Sequence, residues 1–134
     1  MKLLFFFLTT LVFLAGCAER EDKMPASVYV TIEDFTHQYA PGSNKSLPIA
    51  IKTYGQAWQG EIQLALLQND SVLQQWQQSY QAAADTSQLT QIEIQLPQAE
   101  GVYHLQASIQ NFANEPVLSR RLIEVKTPVR VKIN

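Results

Sequence analysis

Hydrophobic and polar residues alternate with a period of two along most of the chain beyond residue 26. The stretches "SVYVTI" (27–32) and "EIQLALL" (61–67) show the pattern, with an aliphatic side chain at every second position. This alternation is typical of β-strands that turn one face to a core and the other to water. It predicts eight short strands, over residues 27–32, 47–54, 61–67, 72–80, 90–96, 102–110, 117–125 and 129–133.

Turn signals separate these strands, and no long stretch has the 3.6-residue period of a helix. Pro41-Gly42 and "QNDS" (68–71) are turn sequences, and residues 55–60 read as a loop that contains Trp58. Pro48 lacks an N–H donor and predicts a strand start or an edge. Residues 81–88 are ambiguous and could hold a helical turn, because they are rich in alanine. The whole pattern predicts an all-β, antiparallel β-sandwich of seven to eight strands in one domain, residues 27–134.

An N-terminal signal helix is expected to precede this domain. Lys2 is followed by an apolar run, Leu3–Leu14, that is too short for a membrane span of about 20 residues. The run ends in "LAGC", which contains Cys17, the single cysteine of the chain. This motif resembles the lipobox of bacterial lipoproteins. The resemblance implies cleavage between Gly16 and Cys17, so that residues 1–16 are a signal peptide, and lipidation of the Cys17 thiol.

A lipidated Cys17 would be an anchor rather than a catalytic, metal-binding or disulfide residue. Two or more acyl chains hold a protein stably at a membrane, and no second cysteine is present to form a disulfide. Residues 17–26 then form a charged tether. The residue after the cysteine is Ala18 rather than aspartate, which resembles outer-membrane lipoproteins. The expected location is therefore the outer membrane of a bacterial envelope, facing the periplasm.

The composition excludes a nucleic-acid partner. Without Lys2, nine basic residues stand against twelve acidic ones, and no basic stripe is present. Sixteen glutamines could indicate a disordered tract, but they alternate with Ile, Leu and Val. That alternation favours glutamines on the water-facing sides of strands.

Three stretches resemble immunoglobulin-like domains of the macroglobulin type. They are "YAPGSNKSLPIAI" (39–51), "LPQAEGVYHLQASI" (96–109) and "RRLIEVKTPVRVKI" (120–133). The resemblance implies an immunoglobulin-like fold. It does not imply protease trapping, because the family's reactive Cys-Gly-Glu-Gln thioester segment is absent.

The sequence offers no catalytic constellation. Two isolated histidines, His37 and His104, fall short of the three or four ligands of a zinc site. The carboxylates sit at strand ends or on polar faces without a spacing that selects a hydrolase pair, and no G-x-S-x-G elbow is present. We therefore expect a protein that is not an enzyme and has no cofactor or metal.

Three aromatic residues are candidate ligand-binding positions: Trp58, Tyr54 and Trp76. Exposed rings can stack on sugars, which would make the domain a carbohydrate-binding module. Large aromatic side chains in sandwiches are otherwise core residues, and that is the reading favoured for Trp76.

The expected function is that of a non-enzymatic envelope lipoprotein with a protein-interaction or accessory domain and an envelope protein as partner. Glycan binding is the first alternative. The second rests on "SLPIAIKTYGQ" (46–56), which resembles a strand of the small sandwich lipoproteins of type VI secretion systems.

Overall fold

The computed structural model describes residues 24–129, which form eight β-strands and no helix. The strands are β1 (Ser27–Ile32), β2 (Gln38–Tyr39), β3 (Asn44–Tyr54), β4 (Trp58–Gln68), β5 (Ser71–Ala82), β6 (Ser87–Gln95), β7 (Gly101–Gln110) and β8 (Pro116–Val125). The small sheet has the order β1-β3-β6, and the large sheet has the order β2-β8-β7-β4-β5. Every pairing is antiparallel except that of β2 with β8. The all-β sandwich that the alternation predicts is confirmed.

The core forms where the predicted inward positions of the two sheets meet. Leu47, Ile49 and Ile51 of β3 are fully buried, as are Leu64 and Leu66 of β4. Tyr103, Leu105, Ala107 and Ile109 of β7 are buried in the same alternating pattern. Each aliphatic side chain of this kind stabilises the fold by about 1.5–3 kcal/mol when it leaves water.

One lateral side of the sandwich is closed by hydrogen bonds between the sheets. The Ile32 amide at the end of β1 donates to Ser119 Oγ on β8 at 3.1 Å. Arg121 Nε of β8 donates to the Ile32 carbonyl at 2.9 Å, and its guanidinium lies 4.6 Å from the centre of the Phe35 ring. Strand β2 adds to the same β8 edge, where Gln38 and Tyr39 pair with Glu124 and Val125.

The opposite lateral side is open. Here β5 ends the large sheet and β6 ends the small one. A side-chain hydrogen bond from Gln78 Nε2 to Thr90 Oγ1, 2.8 Å long, joins these two strands across the sandwich. The outer edge of β5 carries no further strand in the part of the chain that the structure describes.

The structure corrects the prediction for residues 55–60. Trp58 is the first residue of β4 rather than a loop residue, and its side chain is 4% exposed. The short connection that remains is turned by Gly55, at φ 80°. Gly55 also donates its amide to Asp85 Oδ1 at 2.7 Å, which ties this turn to the one after β5.

Residues 81–88 hold no helical turn. Strand β5 continues to Ala82, and a tight turn with Asp85 at φ 55° leads into β6. The buried Thr53 hydroxyl donates to the Ala83 carbonyl and accepts from the Thr86 amide. These tertiary hydrogen bonds, together with β-pairing, override the helix propensity of the three alanines.

Strand β5 departs from the predicted alternation at its start. Leu73 is an extra residue, because Leu66 pairs with Gln74 while Leu67 pairs with Val72. Strict alternation over residues 72–80 would place Val72 on the same face as Trp76 and Tyr80; the β-bulge instead moves Val72 to the outer face of the large sheet.

Pro48 lies inside β3, the central strand of the small sheet, rather than at a strand start. Its carbonyl accepts from the Glu33 amide at 2.9 Å, so its nitrogen faces the β1 side. Strand β1 ends at Ile32, opposite Ile49, so the missing N–H removes only the reciprocal bond to Glu33, just beyond the end of β1.

Two predictions concern the chain ends. Val129 is in no strand, and residues 130–133 of the predicted last strand lie outside the described residues. The signal peptide and the lipidation site at Cys17 also lie outside them. Within residues 24–129 no helix is long and apolar enough to span a bilayer.

Candidate functional site

The structure places the three predicted aromatic site residues in three different environments. The indole of Trp58 lies in the core, and its Nε1 donates to the Gln110 carbonyl at 2.8 Å. Trp76 points inward from the edge strand β5 and packs partly buried against the core. Only Tyr54 is well exposed, at 53%. The fold therefore does not bring the three together, and Trp58 offers no ring face for stacking.

Tyr54 instead forms a pair with Tyr29, a residue that the sequence interpretation did not single out. The two rings lie on the outer face of the small sheet, with centroids 6.0 Å apart and planes at 72°. Tyr29 is 50% exposed. With Met24, Pro25 and Ser27 the pair lines a surface hollow of about 440 Å³. The signal in the sequence was Tyr29 at a water-facing position of "SVYVTI", where a polar residue is expected.

A second exposed surface covers the large sheet. The pairing register aligns its outward side chains in rows that cross β5, β4, β7 and β8 in that order. The three rows are Gln77–Gln63–Ser108–Leu118, Gln75–Ala65–Gln106–Arg120 and Val72–Leu67–His104–Leu122. We call these twelve residues the amide–aliphatic face.

The amide–aliphatic face carries very little charge. Arg120 is its one formally charged residue at neutral pH, and Arg120 Nη2 is paired with Asp70 Oδ1 at 3.1 Å. Val72, Leu118 and Leu122 are each about half exposed, at 49%, 55% and 56%. Exposed aliphatic side chains and a depletion of charge are features of protein-interaction surfaces.

A hollow extends this face at the β8 edge. It has a volume of about 490 Å³ and lies among His37, Val102, Leu122 and Glu124. Val102 lies at an outward position of β7 and is 52% exposed although its side chain is aliphatic. The sequence carried a signal for this surface, since Val102, Leu118 and Leu122 are aliphatic residues in the polar phase of their strands. The strand predictions did not reveal this surface, because they rest on the inward-facing positions of each strand and not on the outward-facing ones.

The most strongly coupled polar groups serve the fold rather than a surface site. Asp34, 8% exposed, accepts from the Tyr39 hydroxyl at 2.7 Å and from the Thr36 amide at 2.9 Å. Lys45 Nζ lies 3.5 Å from the same carboxylate. Burial by itself would raise the pKa of Asp34, but the hydrogen bonds and the lysine charge outweigh it, and the net pKa is lowered. Burial of the Tyr39 hydroxyl and the neighbouring Asp34 carboxylate raise the pKa of Tyr39.

This cluster fixes the connection from β1 to β2. The ring of Tyr39 lies 5.8 Å from Lys45 Nζ and belongs to the core. His37 is exposed in that connection, and His104 lies outward on β7, as the alternation predicts. Within the described part of the chain, no three His, Cys, Asp or Glu side chains are grouped to hold a metal ion.

The connection between β6 and β7 carries a further fold signature. The Tyr103 hydroxyl, near the start of β7, donates to the Ala99 carbonyl four residues upstream at 2.7 Å. A tyrosine in this place with this backbone contact is the tyrosine corner of immunoglobulin-like sandwiches. It lies in the stretch, residues 96–109, that carried part of the resemblance.

No protein-family model matches the chain, and no curated protein matches it. Among solved structures, it is similar to the solution NMR structure of the CARDB domain of a protein from Pyrococcus furiosus. The match has a TM-score of 0.55 and covers 75% of this chain and 94% of that one. The chain has an immunoglobulin-like fold. The sequence identity is 13%, so the likeness concerns the fold alone.

Proposed function

We propose that this immunoglobulin-like protein is a lipid-anchored protein of the bacterial envelope, without catalytic activity, that binds a partner protein. The single observation that carries the binding role is the amide–aliphatic face. Its three rows carry aliphatic side chains, glutamine amides and no unpaired formal charge. A partner would bury the aliphatic groups and bond the glutamine amides.

The anchor rests on the sequence "LAGC" and its lipobox character. Lipidation at Cys17 would leave residues 18–26 as a tether of nine residues before β1 begins at Ser27. Such a tether reaches at most about 30 Å when extended. A partner would therefore be another envelope protein close to the membrane surface, most simply on the periplasmic side of the outer membrane.

Intact-mass analysis of the protein extracted from its native membrane tests the anchor. We expect the mass of residues 17–134 plus a diacylglycerol and an acyl chain. The variant Cys17→Ser should lack both the lipid and the cleavage. A native protein with an unmodified thiol or a retained leader would refute the anchor without bearing on the binding face.

Affinity capture from membranes tests the face. Leu122→Lys places a charge where the amide–aliphatic face meets the hollow at the β8 edge, and we expect the captured envelope protein to be lost. Leu89→Lys is the matched control, because Leu89 is 62% exposed on the small sheet. Equal capture by both variants would contradict binding through the amide–aliphatic face.

Glycan binding is a second candidate, and the Tyr29–Tyr54 pair favours it. Two half-exposed rings in an edge-to-face arrangement beside a hollow of about 440 Å³ offer one flat ring and one ring edge to a sugar. Retardation in polysaccharide gels that is lost in Tyr54→Ala and kept in Leu122→Lys would support this role. Unretarded migration in a panel of envelope polysaccharides would exclude it.

A further inference from the structure

Strand β5 forms an open edge of unusual composition. It is twelve residues long and, within residues 24–129, pairs on one side only, with β4. Its sequence, "SVLQQWQQSYQA", contains no charged residue and no proline. Edge strands usually carry charge, proline or a bulge, because a row of free N–H and C=O groups is a template for another strand. The bulge of β5 lies at Leu73, which leaves residues 74–82 as a regular, unprotected edge.

The other lateral side of the sandwich shows the usual protection. There β2 pairs with the end of β8, and the Ile32 backbone bonds Ser119 and Arg121. The same β8 strand carries Arg120, Arg121 and Glu124. The absence of charge is therefore a local property of β5 and is not shared by every edge of this fold.

The middle of β5 is a palindrome. Residues 74–78 read Gln-Gln-Trp-Gln-Gln and are the same in both directions about Trp76. In an antiparallel pair related by a twofold axis, residue 76 − n lies opposite residue 76 + n. Trp76 would then face Trp76 of a second copy, and Gln75 would face Gln77. Glutamine amides each donate and accept, so these pairs are self-complementary.

We infer that β5 is a self-association edge that pairs antiparallel with β5 of a second copy of this chain, centred on Trp76. This inference goes beyond the proposed function, because it concerns the backbone edge of β5 and a second copy of this chain; Gln75 and Gln77 also belong to the amide–aliphatic face. The five central residues of each copy pair without crossing the bulge at Leu73. The large sheets become one continuous ten-stranded sheet.

The position of Trp76 supports this register. Its side chain lies on the inner face, opposite the fully buried Leu64, but is itself only partly buried. A second Trp76 at the cross-strand distance of about 5 Å would cover the exposed part of each ring. Aromatic cross-strand pairs are among the stabilising pairs of β-sheets. Because a twofold contact uses the same edge of both copies, the assembly closes as a dimer.

Charge substitution on the water-facing side of β5 tests the pairing. The double variant Gln75→Lys/Gln77→Lys places two lysine–lysine pairs across the proposed axis. We expect the full chain, purified in detergent, to change from dimer to monomer in light scattering corrected for bound detergent. Like charges directly opposite each other destabilise antiparallel pairing, so with two such pairs the dissociation constant should rise by up to about 30-fold.

A charge-complementation experiment tests the register itself. Gln75→Glu/Gln77→Glu should be monomeric alone for the same reason, and an equimolar mixture with the lysine variant should form a one-to-one heterodimer. Gln63→Lys/Gln106→Lys is the matched control, because both residues lie on the same face but inside the sheet. This control should remain dimeric.

Three results would overturn the inference. The wild-type chain could be monomeric at tens of micromolar, the lysine variant could stay dimeric, or the mixture could fail to restore the dimer. A dimer that persists in the lysine variant would place the contact at the N-terminal segment or on another surface. Leu122→Lys lies three strands away from β5 and probes partner capture through the amide–aliphatic face separately.

Discussion

The indole nitrogen of Trp58 donates a hydrogen bond to the main-chain carbonyl of Gln110, 2.8 Å away. This contact joins the first residue of β4 to the last residue of β7. The ring lies over Gly60, where a Cβ atom would stand 2.6 Å from Trp58 Cζ2. Trp58, which the sequence predicts to be a loop residue, is therefore part of the core at the end of the large sheet.

Gly60→Ala should destabilise the fold through this contact. The added methyl group would force the Trp58 ring from its place, and overpacking of this kind costs about 1–3 kcal/mol. Chemical denaturation should show a lower midpoint. In the background Trp58→Phe, which removes the atom that clashes, the same substitution should cost less. Equal costs in both backgrounds would show that Gly60 does not act through the indole.

Asp34 should make stability fall in acid. Its pKa is lowered in the folded protein, so the unfolded chain binds the proton more readily than the native one. Its contribution is complete above the ordinary aspartate pKa of about 3.9 and is lost as the pH falls toward and through the lowered value. Asp34→Asn should cost about 1–3 kcal/mol at pH 7, because the Tyr39 hydroxyl and Thr36 amide lose a charged acceptor.

Denaturation midpoints between pH 7 and pH 3 test this role of Asp34. The difference between the wild type and Asp34→Asn should shrink as the pH falls. Glu93→Gln removes an exposed carboxylate on β6 and serves as the charge-matched control. A difference that stays constant across this range would mean that the Asp34 cluster does not act through its charge.

Asp70→Gly should leave stability unchanged or raise it slightly. Asn69 and Asp70 both have positive φ, at 49° and 62°, the geometry of a two-residue hairpin turn that favours Asn-Gly. Glycine should gain about 0.5–1 kcal/mol there. The lost ion pair with Arg120 is exposed and contributes only about 0–1 kcal/mol. A loss of more than about 1 kcal/mol in thermal unfolding would mean that the Asp70–Arg120 pair stabilises the face more than exposed pairs do.

Most strands and their core-facing residues could be predicted from the sequence, because burial of one face of a strand produces hydrophobic residues at every second position. The alternation of Ile62, Leu64 and Leu66 identifies β4 without knowledge of its partners. Strand β2 could not be found in this way. It has two residues, and it exists because Tyr39 and Asp34 fix the chain beside β8.

The surface was harder to predict than the core. The amide–aliphatic face depends on which strands lie side by side, and register is a tertiary property that one sequence does not display. Val72 reaches this face only because Leu73 forms a bulge. Trp58 was assigned to a loop because Gly55 and Gly60 flank it, whereas Gly60 is a strand residue that makes room for the indole.

Photo-crosslinking in living cells tests the central claim, partner binding through the amide–aliphatic face, most directly. A photoreactive phenylalanine analogue would replace Leu122 in one strain and Leu89, on the outer face of the small sheet, in another. We predict one discrete adduct with another envelope protein from position 122 and none from position 89. Adducts from both positions alike, or none from position 122, would contradict the claim.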